Sequence, residues 1–226
     1  MPNKKSNVRL PSKRSDARAL LVEGCRQLGI DLKEDQTARF LTYLMLLQRW
    51  GKKLNLSAIL DTRGIVIKHF LDALTAFQAI KIQPGQQVMD VGSGAGIPGI
   101  PIKLIQPAIE LTLVEPSQKK AAFLHAVCGV LKQRGVKILA SPIETVAGEI
   151  GHQGAYDHIL VRALALSPQG FKALARLLGP QGDLLLFQGR KRTALDNLPG
   201  GLRPRREISL TLPGSTDQRR LVVLGI

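Results

Sequence analysis

Asp90-Val91-Gly92-Ser93-Gly94-Ala95-Gly96-Ile97-Pro98-Gly99 is the stretch that decides the fold of this chain. It grows out of the apolar run Val88-Met89-Asp90-Val91, short and valine-rich as a buried strand is. It leads into a helix that starts around Pro98, where a missing N–H costs little. A strand that passes to a helix through closely spaced glycines lets a ligand approach bare backbone. A dinucleotide pattern GxGxxG can be laid on Gly94, Gly96 and Gly99, but the tighter match is D-x-G-x-G-x-G, with Asp90 leading the glycines directly off the strand.

Glu115, at the tip of the next apolar run and 25 residues after Asp90, supplies a second acid. A carboxylate there can accept both hydroxyls of a ribose lying across the loop. No Lys-Ser/Thr pair follows the glycines, so a P-loop is excluded and ATP hydrolysis loses its usual equipment. The spacing therefore implies a nucleoside and no phosphate site. The acid ahead of the loop suits a ligand with an amino group and a sulfonium, which S-adenosylmethionine has and NAD lacks.

Outward from the loop, short β-rich runs alternate with helix-length segments: Val88 to Val91, Leu111 to Glu115, Lys137 to Ala140, His158 to Val161 and Asp183 to Phe187. This alternation predicts a parallel sheet with helices on both faces. Turns are expected at Gln83-Pro84-Gly85 and at Gly179-Pro180-Gln181-Gly182, before the first and fifth strands. Arg206 to Leu212 and Arg219 to Leu224, separated by Pro213-Gly214-Ser215-Thr216-Asp217, read as a closing antiparallel hairpin. Residues 15–81 carry helical periodicity instead, as in Phe40, Tyr43, Leu44 and Leu47. The organisation expected is a basic arm and helical section over 1–81, packed on an α/β Rossmann-like domain over 82–226.

The chain has 226 residues, 44% of them hydrophobic, enough to bury a core and to argue against a disordered polymer. Its 32 Lys and Arg against 17 Asp and Glu leave a net charge of +15, concentrated towards the two ends. An excess of that size favours a polyanion, because each phosphate neutralised releases counterions. Arg190-Lys191-Arg192 and Arg219 are the residues expected on nucleic acid. Cys25 and Cys128 stand in apolar segments without histidine or cysteine at ligand spacing, so neither a disulfide scaffold nor a metal site is expected. No apolar run is long enough to span a membrane, and the chain reads as a cytosolic monomer.

The loop segment Met89 to Leu104, preceded by Trp50, Asn55-Leu56-Ser57-Ala58, Asp61 and Lys68-His69-Phe70-Leu71-Asp72, resembles the bacterial RsmG (GidB) methyltransferases of the small-subunit ribosomal RNA. The resemblance runs from the helix ending at Trp50 to the strand at Arg219-Arg220-Leu221. It implies a class I methyltransferase fold and transfer of a methyl group from S-adenosylmethionine to N7 of a guanine in 16S rRNA. It also implies that Gly92 and Ile97 lie in the cofactor loop, that Ile143 and Glu144 flank the adenine, and that Arg162 stands at the mouth shared by cofactor and substrate. Four positions depart from the family pattern: Val161 replaces a serine, Leu164 a phenylalanine, Gln188 a lysine and Pro142 an arginine. Arg190 or Lys191 is the expected replacement for the missing positive charge.

Guanine N7 has a lone pair and no proton, so its methylation needs in-line placement and no general base. Arg162 is expected to hold either the acceptor edge of the guanine or the cofactor carboxylate, with a structural salt bridge as the alternative. His69 and Asp72, at i and i+3, read as a buried hydrogen-bonded pair rather than an acid–base dyad. Trp50 reads as core, with base stacking as the alternative, and Asn55 as a turn residue. Two other functions compete: a nucleic-acid-binding regulator that keeps the fold without turnover, and an NAD-dependent oxidoreductase resting on Gly94, Gly96 and Gly99 alone.

Overall fold

The computed structural model describes residues 13–189 and 197–226. Seven strands form one sheet: β1 (Gln87–Val91), β2 (Glu110–Val114), β3 (Val136–Leu139), β4 (Tyr156–Arg162), β5 (Leu178–Gln188), β6 (Arg203–Thr211) and β7 (Gln218–Gly225). Their order is β3-β2-β1-β4-β5-β7-β6. The first five are parallel, and β7 runs antiparallel between β5 and β6. The expected α/β fold with its C-terminal hairpin is present, with β7 rather than β6 against β5. Chain order reverses between β1 and β4, which places a crevice outside their carboxyl ends, where open α/β sheets bind ligands.

Helices cover both faces, as the alternation of strand and helix predicts. On one lie α6 (Gly99–Ile105) and α7 (Gln118–Val130), together with the helical section: α1 (Lys13–Gln27), α2 (Glu34–Gly51), α3 (Thr62–Ile65), α4 (Asp72–Leu74) and α5 (Ala76–Ala79). On the other lie α8 (Ile143–Gly148) and α9 (Pro168–Leu177). Phe40, Leu47, Phe70 and Leu74 of the helical section share one core with Val88, Leu160 and Leu185 of the sheet. The side chain of Gln36 ties the two parts further: its oxygen accepts from Lys33 N–H at the start of α2, and its amide donates to Leu104 and Ile105 at the end of α6.

Between α3 and α4 the chain winds as a π-helix over Val66–Leu71, so one rod runs from Thr62 with a wider turn inside it. Asp61 caps it, accepting from Gly64 N–H at 2.7 Å. Such wide turns are rare and often sit at functional sites. One expectation fails. Gly179-Pro180-Gln181-Gly182 is the irregular beginning of β5 and not a turn before it. The pairing shifts register between Tyr156 and His158, and side chains at Gly179 or Gly182 would press on the Tyr156 carbonyl, so the glycines serve close strand contact.

Among the described residues no helix is long and apolar enough to cross a membrane, and no group of three or more His, Cys, Asp or Glu is arranged to hold a metal ion.

Candidate functional site

The glycine loop leaves β1 at the crevice. Gly92, Gly94 and Gly96 have φ of 71°, 56° and 86°, a region that favours glycine. Asp90, fully buried, turns back under the loop, and its Oδ2 accepts the Gly99 N–H that opens α6 at 2.9 Å. Its other oxygen, Oδ1, is buried with no hydrogen-bond partner among the described residues. Burial pushes the Asp90 carboxyl up to about 7, against the opposing pull of the Gly99 N–H and the Arg162 charge. Glu115 is likewise buried at the end of β2. Its Oε2 accepts from Gly94 N–H at 2.8 Å and its Oε1 from Ser117 N–H at 2.9 Å, which fixes the carboxylate beside the loop. Each oxygen keeps acceptor capacity.

Beside Gly92 opens a cavity of about 210 Å³ lined by Val91, Pro116, Ile143, Glu144 and the loop Leu164 to Ser167. Ile143 and Glu144, expected beside the adenine, line this cavity. Ile97 is buried in the core beneath the loop, so it shapes the loop from below. A larger groove of about 750 Å³ lies elsewhere, between Ile59 to Lys68 and the turn Gly214 to Asp217. Its turn joins two strands rather than a strand to a helix, and its acids, Asp61 and Asp217, are exposed, so the smaller cavity fits a nucleoside better.

Arg162, at the end of β4, reaches across the crevice to the helical section. Its Nε donates to Asp72 Oδ2 at 2.8 Å and its Nη2 to the Lys68 carbonyl at 2.6 Å. Arg219, at the start of β7, donates through Nε to Asp72 Oδ1 at 2.5 Å and through Nη2 to Oδ2 at 2.9 Å. Asp72 is completely buried between them. The cluster of two cations and one anion carries a net positive charge at the crevice, with Arg162 Nη1 uncommitted among the described residues. Arg219, expected on RNA, therefore spends two donors on an internal partner, and the salt bridge considered for Arg162 exists.

His69 and Asp72 do not bond each other, contrary to the pairing read from their spacing. A π-helical turn takes more residues than an α-turn, so positions three apart diverge. His69 Nε2 meets Ser57 Oγ at 2.9 Å instead. Burial, helped by the Arg162 charge, lowers the His69 pKa to about 4, which leaves the ring neutral near pH 7. Trp50 is not core: it is 36% exposed, because the buried stripe of α2 passes from Leu47 to Gly51 and misses it. Asn55 has a φ of 49°, as a turn residue would. Arg190, Lys191 and Arg192 lie outside the described residues.

Some contacts have no sequence signal. Tyr43, fully buried in α2 and stacked on Phe70 at 5.3 Å, donates its hydroxyl to the carbonyl of Ala95 inside the glycine loop. Burial raises its pKa well above the ordinary value, so it stays a donor. Tyr43→Phe leaves that carbonyl without its partner and is expected to cost about 1–2 kcal/mol of stability in a urea titration. Gln188 offers Oε1 to Arg220 Nη1 at 2.7 Å, with Arg220 paired to Glu207, so a cation does stand beside this position.

The sequence profile described as "GidB: rRNA small subunit methyltransferase G" matches residues 36–199. The chain belongs to the rRNA small subunit methyltransferase G family. A relative with that name from Pelotomaculum thermopropionicum is 35% identical over 90% of this chain and 88% of its own length. Another, from Roseiflexus sp., is 36% identical over 91% and 90%. Among solved structures, a SAM-dependent methyltransferase from Aquifex aeolicus superposes with a TM-score of 0.56 at 15% identity, covering 79% of this chain and 98% of that one. TrmN from Thermus thermophilus gives 0.55 at 17% identity, over 68% of this chain and 47% of its own. These two show the fold alone. The match of the GidB family profile includes both α2 and the glycine loop, the two elements joined by Tyr43.

Proposed function

We propose that this protein transfers a methyl group from S-adenosylmethionine to N7 of a guanine in 16S rRNA. The observation that carries the reading is the glycine turn between β1 and α6, with an orphaned Asp90 oxygen beneath it and the Glu115 carboxylate beside it. The residues fit the donor: Asp90 Oδ1 offers an acceptor for its ammonium, Glu115 for its ribose, and Ile143 lines the cavity for its base. The bound donor supplies an electrophilic methyl on a sulfonium.

Arg162 and Arg219 hold positive charge over the crevice, and Asp72 and the Lys68 carbonyl hold the Arg162 fork in one orientation. A fork so fixed can hold O6 of a guanine, leaving the N7 lone pair free to attack the methyl, or it can hold the donor's carboxylate. No proton leaves N7, so a neutral His69 is consistent with a structural task. The basic ends of the chain would grip the RNA, and one chain suffices for the reaction.

The test is incubation of the purified chain with labelled methyl donor and small ribosomal subunits from cells that lack it. Label in 16S rRNA, released as 7-methylguanosine, is expected; saturable donor binding without label would favour the regulator, and absence of donor binding would sink both readings. A pH dependence follows from Asp90. A carboxyl raised from 3.8 to about 7 stabilises the unliganded fold fully below about pH 4, and that contribution is lost as pH rises through 7. Donor binding needs the ionised form, so calorimetric affinity is expected to be about tenfold weaker at pH 6 than at pH 8. Asp90→Asn should flatten the profile.

A further inference from the structure

We propose that the exposed end of α2, centred on Trp50, is a stacking platform for a single-stranded stretch of RNA; this rests on the reading of the chain as an rRNA methyltransferase. Trp50 is exposed between two cations, with the Arg49 guanidinium 5.6 Å and the Lys53 ammonium 5.7 Å from its ring centroid. Arg49, Lys52 and Lys53 form no salt bridge among the described residues. No Asp or Glu occurs between Asp35 and Asp61, so the surrounding chain brings no neutralising charge.

The platform is rigid. The carbonyls of Trp50 and Gly51 are taken by the N–H groups of Leu54 and Leu56 at 3.0 and 2.9 Å. Gly51 is buried against Leu60, so close that a Cβ would collide with it. A helix C-terminus favours nearby cations through its dipole. That accounts for the charges but not for an indole left in solvent between them. Protein interfaces are depleted of lysine at their centres, whereas an aromatic face flanked by cations is what proteins present to unpaired bases and their phosphates.

The platform is also close to the crevice along the chain. Seven residues beyond Trp50, Ser57 holds His69, and the neighbouring Lys68 carbonyl holds Arg162. Seven residues reach at most roughly 25 Å, within the span of a single-strand site of several nucleotides. A base stacked on Trp50 would thus anchor the strand whose guanine enters the crevice.

Trp50 is the only tryptophan of the chain, so its fluorescence reports on the platform directly. Titration of the full chain with a single-stranded oligoadenosine RNA of twelve nucleotides is expected to quench it saturably, and a duplex of equal length is expected not to. By anisotropy of labelled RNA, Trp50→Ala should bind roughly 5- to 100-fold more weakly, and Trp50→Phe should recover most of the loss. Arg49→Gln and Lys53→Gln should each lower the slope of log affinity on log salt by about 0.7. In the methylation assay Trp50→Ala should raise KM for small subunits and leave kcat and donor affinity unchanged. Unquenched fluorescence, or wild-type RNA affinity and KM in a folded Trp50→Ala protein, overturns the platform even if methylation proceeds. A wild-type chain that quenches on RNA but transfers no methyl leaves the platform standing and removes the enzymatic reading.

Discussion

Asparagine in place of Asp72 is expected to lower the unfolding free energy by about 3–5 kcal/mol, the cost of removing the anion from a buried ion pair. Asp72 is wholly inaccessible and accepts from both Arg162 and Arg219, whose side chains are only 17% exposed. The amide keeps the shape and loses the charge, so two guanidiniums remain close together with no counterion. Urea unfolding with an unchanged m-value would read the loss as a shift in midpoint. Removing one cation as well, in Asp72→Asn with Arg219→Met, should restore part of the stability, and the double-mutant cycle gives the coupling. Methyl transfer should fall in the single variant because Arg162 loses one of its two anchors. A change below about 1 kcal/mol would show that the cluster is solvated and that the helical section is not pinned to the sheet through it.

Gly99→Ala is expected to weaken donor binding by at least roughly tenfold and to cost about 1–3 kcal/mol of stability through overpacking. The added Cβ would lie 2.7 Å from Leu113 Cδ2 and 2.9 Å from Asp90 Oδ2. Relief requires the start of α6 to move off the sheet, and the Asp90 to Gly99 hydrogen bond stretches with it. The loop that presents Gly92 and Gly94 hangs between these two points. Gly129→Ala on α7 is the control, since its Cβ would meet nothing within 4 Å. Calorimetry with the donor product should separate the two, and equal affinity in both variants would mean that the turn does not hold the ligand.

The cores of the five parallel strands were legible from short apolar runs, because a parallel sheet covered on both faces needs near-continuous apolar segments. The acids Asp90 and Glu115 could be placed at the loop because their spacing follows from the strand ends that carry them. Contacts between distant segments were not legible. Nothing near Tyr43 marks Ala95 as its acceptor, 52 positions away, and Arg219 gives no sign that Asp72 lies opposite it. The pairing of His69 with Asp72 failed for a local reason, the π-helical winding of Val66–Leu71, which periodicity rules built on 3.6 residues per turn do not anticipate. Trp50 was misplaced because an aromatic at the end of an amphipathic helix fits the apolar stripe by composition, while the stripe continues through Gly51.

The placement of β7 between β5 and β6 sets an order of events at birth. While the chain is being synthesised, β5 presents a row of unpaired amides until residues 218–225 emerge, and β6, made earlier, has to wait at a distance for its neighbour. The nascent sheet is therefore open to pairing with other chains until β7 slides into the gap, and a premature stop shortly before Gln218 would release a product whose β5 edge stays exposed to aggregation.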